Sequence, residues 1–479
     1  MNRERLHASS PNCSPIRRSP VQLMFDIPTT TQTKENRVAR GIAFGGLIAM
    51  LVMAGCATPV KLGSNAQKPY QWESLSHHPQ LAWHRHRADS ATLFIRLPAN
   101  EPLHLRKDGG SPFRYSLEIE VLVNPIEWPE TDSRESPQAL LHTFKWEGRS
   151  DPDVDFLTAR FSFPLATGRY RIVHTVRDLH RGSDVTGLAL MDGWSPEAPV
   201  RCLAFNTETG DPAWGLGLPA GSRMGLLVPA DRASSLWSLS HLPPIDSFPS
   251  APFLDRNIPE MQFPKSAFPR LPMTPTESDG VIFPQGDWTG WKLILWDGEA
   301  GLHRWQNQGD DRPIVVAARQ AHFPEMKNLD EMIRATRYIA KRQEYQSMRK
   351  ARDPKRALDE FWLAFGNSPE ESRRLIATYY GRVHEANVHF SGLKEGWCTD
   401  RGMVHIIFGH ADRIRRDRMG ETWVYGDEGD VNALVFRFSR KDKDRSDDIN
   451  AFELERYPGF RSPWEAMVGS WRRGKVRKR

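Results

Sequence analysis

Residues 241–279 carry nine prolines, and no other stretch limits the fold of this chain so strongly. Proline fixes φ near about −65° and has no N–H to give to a ladder, so neither a helix nor a central strand survives that density. Such a density favours polyproline II, about 3.1 Å per residue. Phe248, Phe253, Phe263 and Phe268 are interleaved with the prolines. A solvated spacer has no use for them, so the segment is expected to lie strapped across its neighbours, a strand offered to a partner being the other reading.

Before that segment the hydrophobic period is two. Phe113, Tyr115, Leu117, Ile119, Val121 and Val123 alternate with Arg114, Ser116, Glu118 and Glu120, the signature of a half-buried strand. Residues 160–163 and 170–176 repeat it, with Gly168 in the turn between them. The spacing predicts one immunoglobulin-like antiparallel β-sandwich over 91–240, with a short β segment over 280–326 beyond the prolines. After residue 327 the pattern turns helical. Asn328, Asp353 before Pro354, and Ser368 with Glu371 are N-cap signatures, the first expected to open a helix running to about Lys350. Short strands are expected at 403–408, 422–425 and 433–438. The fold class is thus multidomain α+β: a β-sandwich, a proline-rich strap, and a domain of helices on a small antiparallel sheet over 327–479.

The N-terminal region carries an address. Gly41–Gly55 is an uncharged apolar run of 15 residues, shorter than the roughly 20 that span a bilayer as a helix. Arg37 and Arg40 precede it, and Ala54-Gly55 lead into Cys56. That is the order of a secretory signal, basic then apolar then small. It also resembles a bacterial lipobox, in which the cysteine is lipidated and becomes the mature N-terminus, with Met53 where Leu is usual. Residues 1–55 are therefore expected to be a signal peptide with an extended N-region, and 56–90 a lipidated tether containing His84 and His86. The alternative is a short core helix that contains Cys56. The 55 residues before Cys56 hold seven basic and three acidic side chains, so their removal lowers the formal net charge from +6 to +2. A nucleic-acid partner then loses its electrostatic support.

One constellation is specific. Gly396-Trp397-Cys398-Thr399-Asp400-Arg401-Gly402 precedes the apolar run Met403–Phe408 and Gly409. Upstream stand Tyr338, Glu360-Phe361-Trp362, Tyr379-Tyr380, Arg382-Val383, Ala386-Asn387 and His389-Phe390; downstream, Asp412, Trp423, Tyr425 and Trp471-Arg472. Together these resemble the GWxTD family of bacterial envelope lipoproteins over roughly residues 330–476. The resemblance implies a strand at 403–408, and an envelope lipoprotein with an N-terminal β-domain. It supplies no reaction. The chain departs from the family where Gly-x-Pro-Asp is common, having Gly409-His410-Ala411-Asp412 instead.

Physically, every part of the motif has a structural use: Gly396 for a backbone turn out of the preceding helix, Trp397 as an anchor, Thr399 and Asp400 for bonds to backbone N–H groups, and Gly402 to let the following strand start close to other backbone. A sharper reading makes Asp400 and Arg401 a surface site for a ligand or partner. A third places Asp400 near a reacting centre as general acid or base, although no second titratable group stands at a diagnostic spacing. His384 and His389 are five apart, which separates them by about 140° around a helix and excludes the zincin arrangement. His405 reads as a satisfied sheet histidine. No metal set and no cofactor fingerprint is predicted, and Cys202 and Cys398 are expected to be buried free thiols. The basic end, Arg472 to Arg479, could touch anionic lipid.

The function expected is that of a membrane-anchored envelope lipoprotein, at the outer membrane through its lipid and with an envelope protein as partner, acting as a binding, scaffold or assembly component. The alternatives are an envelope hydrolase on cell-wall or surface glycan using Asp400, and a carbohydrate-binding module using Trp288, Trp291 and Trp296.

Overall fold

The computed structural model describes residues 70 and 75–476, apart from 88, 107, 110, 128–137, 193–198, 233–235, 245–246, 255–262, 264–266, 271–279, 309–311, 367, 417–419, 428–432 and 441–450. The expected signal peptide, Cys56 and most of the expected tether lie outside these residues.

Seven strands form the first unit: β1 Gln80–Arg87, β2 Ser90–Pro98, β3 Arg114–Glu127, β4 Leu140–Arg149, β5 Phe156–Pro164, β6 Arg169–Asp178 and β7 Ser183–Asp192. They make two antiparallel sheets, ordered β1-β2-β5 and β4-β3-β6-β7. The alternation in β3 does what its period requires. Leu117, Ile119, Val121 and Val123 turn inward against Leu93, Ile95, Leu97, Ile172 and Val176. Glu118 stays on the outer face and meets Arg177 across the ladder at 2.7 Å.

The sandwich ends at β7, earlier than the expected 240. Strands β8 Leu203–Asn206, β9 Leu218–Pro219, β10 Arg223–Pro229 and β11 Trp237–Leu242 belong to a second two-sheet unit. They join β13 Trp291–Asp297, β14 Gly301–Asn307 and β15 Ile314–Arg319 from beyond the prolines, and β12 Ala267–Arg270, an edge strand inside the proline-rich segment that pairs with β11. Its sheets run β13-β10-β8 and β12-β11-β14-β15-β9 and enclose Met224, Leu226, Val228, Trp237, Ile294, Trp296, Trp305 and Val316. A strand's own periodicity shows which face is buried but not which distant strand pairs with it, and the strands of 200–240 find partners beyond the prolines.

Both faces of β10 are buried. Its outer face, with Phe205, Leu293, Leu295, Trp214, Trp288 and Trp291, packs on Ala82 and Phe94 of the first unit. The tether is corrected at its end as well: β1 is a sheet strand, and its His84 and His86 sit against Trp288 and Trp291 with ring centres 5.1–5.6 Å apart. Trp288, Trp291 and Trp296 are 8%, 7% and 2% exposed, so none of them offers a platform for sugar.

The third unit contains α1 Leu329–Ala335, α2 Arg342–Lys350, α3 Pro354–Leu363, α4 Pro369–Phe390, α5 Asp400–Phe408 and α6 Arg461–Arg472. Its sheet, ordered β16-β17-β18-β19, comprises β16 Arg413–Arg416, β17 Gly420–Tyr425, β18 Leu434–Arg440 and β19 Phe452–Leu454. Asn328, Asp353 and Ser368 cap α1, α3 and α4 as their sequence positions require. The long helix expected from Asn328 is broken instead: Thr336–Tyr338 tightens to a single 3₁₀ turn. The Glu344 carboxylate then caps the Lys341 N–H at 2.8 Å and starts α2 afresh. Among the described residues no helix is long and apolar enough to cross a membrane. The architecture is mixed α+β, antiparallel sheets first and helices on a small antiparallel sheet last.

Residues 247–254 lie strapped across the third unit, whereas 267–270 of the same segment pair as strand β12. Phe248 lies edge-on to Trp397 at 5.2 Å and Tyr338 at 6.0 Å, and Phe253 packs under the Arg461 guanidinium at 5.0 Å. Backbone groups fasten it too, since Arg456 donates to the Ser250 carbonyl and the Tyr457 N–H to Pro252.

Candidate functional site

The run Met403–Phe408 is helical, correcting the expected strand and the sheet placement of His405. Thr399 is the N-cap of α5, its hydroxyl accepting from the Gly402 N–H at 3.0 Å. Gly409, at φ 82°, closes the helix with its N–H on the His405 carbonyl. Every residue of α5 is buried, so no polar face marked its period, and a short apolar run of this kind fits strand and helix alike.

The motif is a joint between α4 and α5. Gly396 opens a 3₁₀ turn lying directly on α4; a Cβ there would stand 1.8 Å from the Ala386 carbonyl oxygen. Gly402 lies equally close to the turn, with the Gly396 carbonyl 1.9 Å from where its Cβ would be. Two glycines therefore let three backbones touch. Trp397 is fully buried, its N–H on Asn387 Oδ1 and its indole N–H on Glu395 at 2.6 Å. Tyr338 closes the joint by donating its hydroxyl to the Trp397 carbonyl at 2.6 Å.

Asp400 and Arg401 are internal, and the expected surface site is corrected accordingly. They are 4% and 3% exposed. Asp400 receives the Arg456 guanidinium on both oxygens, at 2.6 and 3.2 Å, and the Leu454 N–H at 2.9 Å. It thereby ties the first turn of α5 to β19, and both of its oxygens are engaged. Arg401 lies over the Phe452 ring at 4.1 Å and the Phe390 ring at 5.0 Å, with Glu421 3.5 Å away. At the far end Arg382 donates to the carbonyls of Ile406 and Ile407, the position where a cation complements a helix C-terminus. Of the basic tail, Arg472 is held inside by Glu344 at 2.7 and 2.8 Å rather than offered to lipid. Cys202 and Cys398 are buried free thiols, as expected.

Beside the joint lies a cleft of about 210 Å³ between β14–β15 and α1. Its polar wall includes Arg319, Asp330, Glu331, Arg334, Lys394 and Glu395. Arg319 spans it, donating to the Gly392 and Lys394 carbonyls. Arg334 covers the Trp397 ring at 5.5 Å. The motif thus meets the cleft through the segment leading into it.

One grouping escaped the sequence reading, which named no metal ligands. Glu385 Oε2 lies 2.9 Å from His405 Nε2 and 3.0 Å from His410 Nε2. The excluded pair, His384 and His389, shares one helix; this cluster takes Glu385 from α4, His405 from α5, and His410 just past the α5 cap. Burial opposes charge on Glu385, but hydrogen bonds and charge from His405 and His410 outweigh it and hold the carboxyl below its usual range. Burial pushes His405 down, and His389, one turn beyond Glu385, down to about 3. The only sequence signal was His410 itself, which follows the α5 cap in the turn where the chain departs from the family pattern.

A helix-to-helix joint built on Gly-Trp-x-Thr-Asp, supported by capped helices and backed by a four-stranded antiparallel sheet, defines an α+β domain of the GWxTD class. The chain carries such a GWxTD domain: the family model matches residues 301–473, a span that begins at β14 and so takes in two strands upstream of the helices. Among curated proteins none matches the chain.

Proposed function

We propose that the chain is a membrane-anchored envelope lipoprotein that works as a binding, scaffold or assembly component, held at the outer membrane through Cys56. The observation that carries this reading is the internal use of the motif. Asp400 and Arg401 spend their charges on Arg456, Glu421 and two aromatic rings, which is the economy of a scaffold rather than of a reacting centre. The apolar run ending at Cys56 supports anchoring, since two or three acyl chains at about 0.8 kcal/mol per buried CH₂ hold stably. The mixed-charge cleft beside the joint is the surface from which the domain would meet an envelope protein.

The test is fractionation of bacteria expressing the full chain, with acyl labelling and a photo-crosslinker at the exposed Asp330. Wild type should take up label, sediment with outer membrane and give one discrete crosslinked partner. Cys56→Ser should lose both label and sedimentation. Unlabelled, soluble wild-type protein would refute the anchoring, and no crosslink beside glycan-cleaving activity would refute the scaffold.

A further inference from the structure

We propose that Glu385, His405 and His410 form a binding site for one divalent transition metal of the zinc class. The argument begins with direction. Two imidazole Nε2 atoms from different segments converge on a single carboxylate oxygen, at 2.9 and 3.0 Å, and all three donor atoms lie within 4.8 Å of one another. His405 makes a hydrogen bond with that oxygen, and His410 Nε2, from the turn after α5, stands equally near it.

Two imidazoles and a carboxylate are a donor set suited to zinc-class ions, with a fourth position left for water. Bonds of about 2.0–2.1 Å at tetrahedral angles place ligand atoms about 3.3 Å apart, so the two carboxylate edges open by about 0.3–0.4 Å while the edge between the two imidazole nitrogens, within 4.8 Å, closes towards the same length. Binding requires both Nε2 lone pairs, and the protons on those nitrogens pass to Nδ1 or to solvent. His405 is 1% exposed, Glu385 8% and His410 14%, which puts the way in along His410. A bound ion would fasten α4 to the end of α5 and to the turn after it, the side of the joint opposite the Asp400–Arg456 pair.

The detergent-solubilised full chain, stripped with chelator and dialysed, is titrated with Zn²⁺ alone by calorimetry and with Co²⁺ by visible absorption. One equivalent per chain is expected, together with an intense four-coordinate Co²⁺ band. His410→Gln, at the rim and least able to disturb folding, should weaken Zn²⁺ at least tenfold and abolish the band, because loss of a ligand costs no less than loss of a supporting contact. His241→Gln, in the stacked His241–His303 pair elsewhere, should change neither. Absence of stoichiometric binding to wild type overturns the site. So does a bound equivalent whose affinity and spectrum survive His410→Gln.

Discussion

Replacing Asp400 by Ala removes the carboxylate that pairs with Arg456 inside the GWxTD domain. The side chains of the pair are 2% and 11% exposed, so water cannot take the place of the lost oxygens. The guanidinium is left with the Leu454 and Ser250 carbonyls, and the Leu454 N–H with no acceptor side chain. Breaking a buried pair from one side costs about 3–5 kcal/mol. At roughly 2–4 °C per kcal/mol for a unit of this size, Tm should fall by about 6–20 °C. Calorimetry on the purified chain reads the fall. Hydrogen exchange should place the loss at β19 and residues 247–254, the segments that Arg456 joins. Asp400→Asn keeps an acceptor for Leu454 and should lose less, while Asp400→Leu with Arg456→Met should recover most of the loss, since a buried pair is often no better than an apolar replacement. A drop below about 1 kcal/mol for Asp400→Ala, smaller than any buried-pair cost, would refute the reasoning. So would a double variant that falls by the sum of the singles.

The glycines give a contrast within one domain. Gly402→Ala drives a Cβ into the Gly396 carbonyl at 1.9 Å and should abolish soluble expression. Gly381→Ala, in α4 with nothing within 4 Å, should stabilise by about 0.5–1 kcal/mol in urea titration. His174 of β6 is pushed down to about 4 by burial, against 6.5 unfolded. Its neutral form is the native one, so stability is intact above pH 6.5 and falls as the unfolded state gains a proton between pH 6.5 and 4, by up to about 3 kcal/mol. His174→Gln should flatten that part of the urea-midpoint profile; an unchanged slope would show that His174 is not its source. Phe248→Ala should loosen the strap, raising exchange at 247–254 for a loss of about 1–2 kcal/mol. Equal protection in the variant would mean that backbone bonds alone hold it.

Much of the fold was legible locally. Three caps stand where Asn328, Asp353 and Ser368 placed them, because a cap bonds N–H groups only two or three residues on. Strand β3 kept its faces because a period of two needs no knowledge of its partner. The helix from Asn328 failed at Thr336 because the break answers to Trp397, whose carbonyl holds Tyr338 from 59 residues away. Strand and helix were confused at 403–408 for the opposite reason: burial on all sides erased the pattern.

The sequence by itself determined the alternating strands, the three capped helix starts and the motif, since each is written in residues near one another in the chain. Only the tertiary structure decided that β9, β10 and β11 pair across the prolines with β15, β13 and β14, that Asp400 meets Arg456, and that Glu385, His405 and His410 converge. Hydrophobic burial selects such pairings through shape and through satisfaction of polar groups over long separations. A carboxylate looks the same in a sequence whether a guanidinium waits for it 56 residues later or water does.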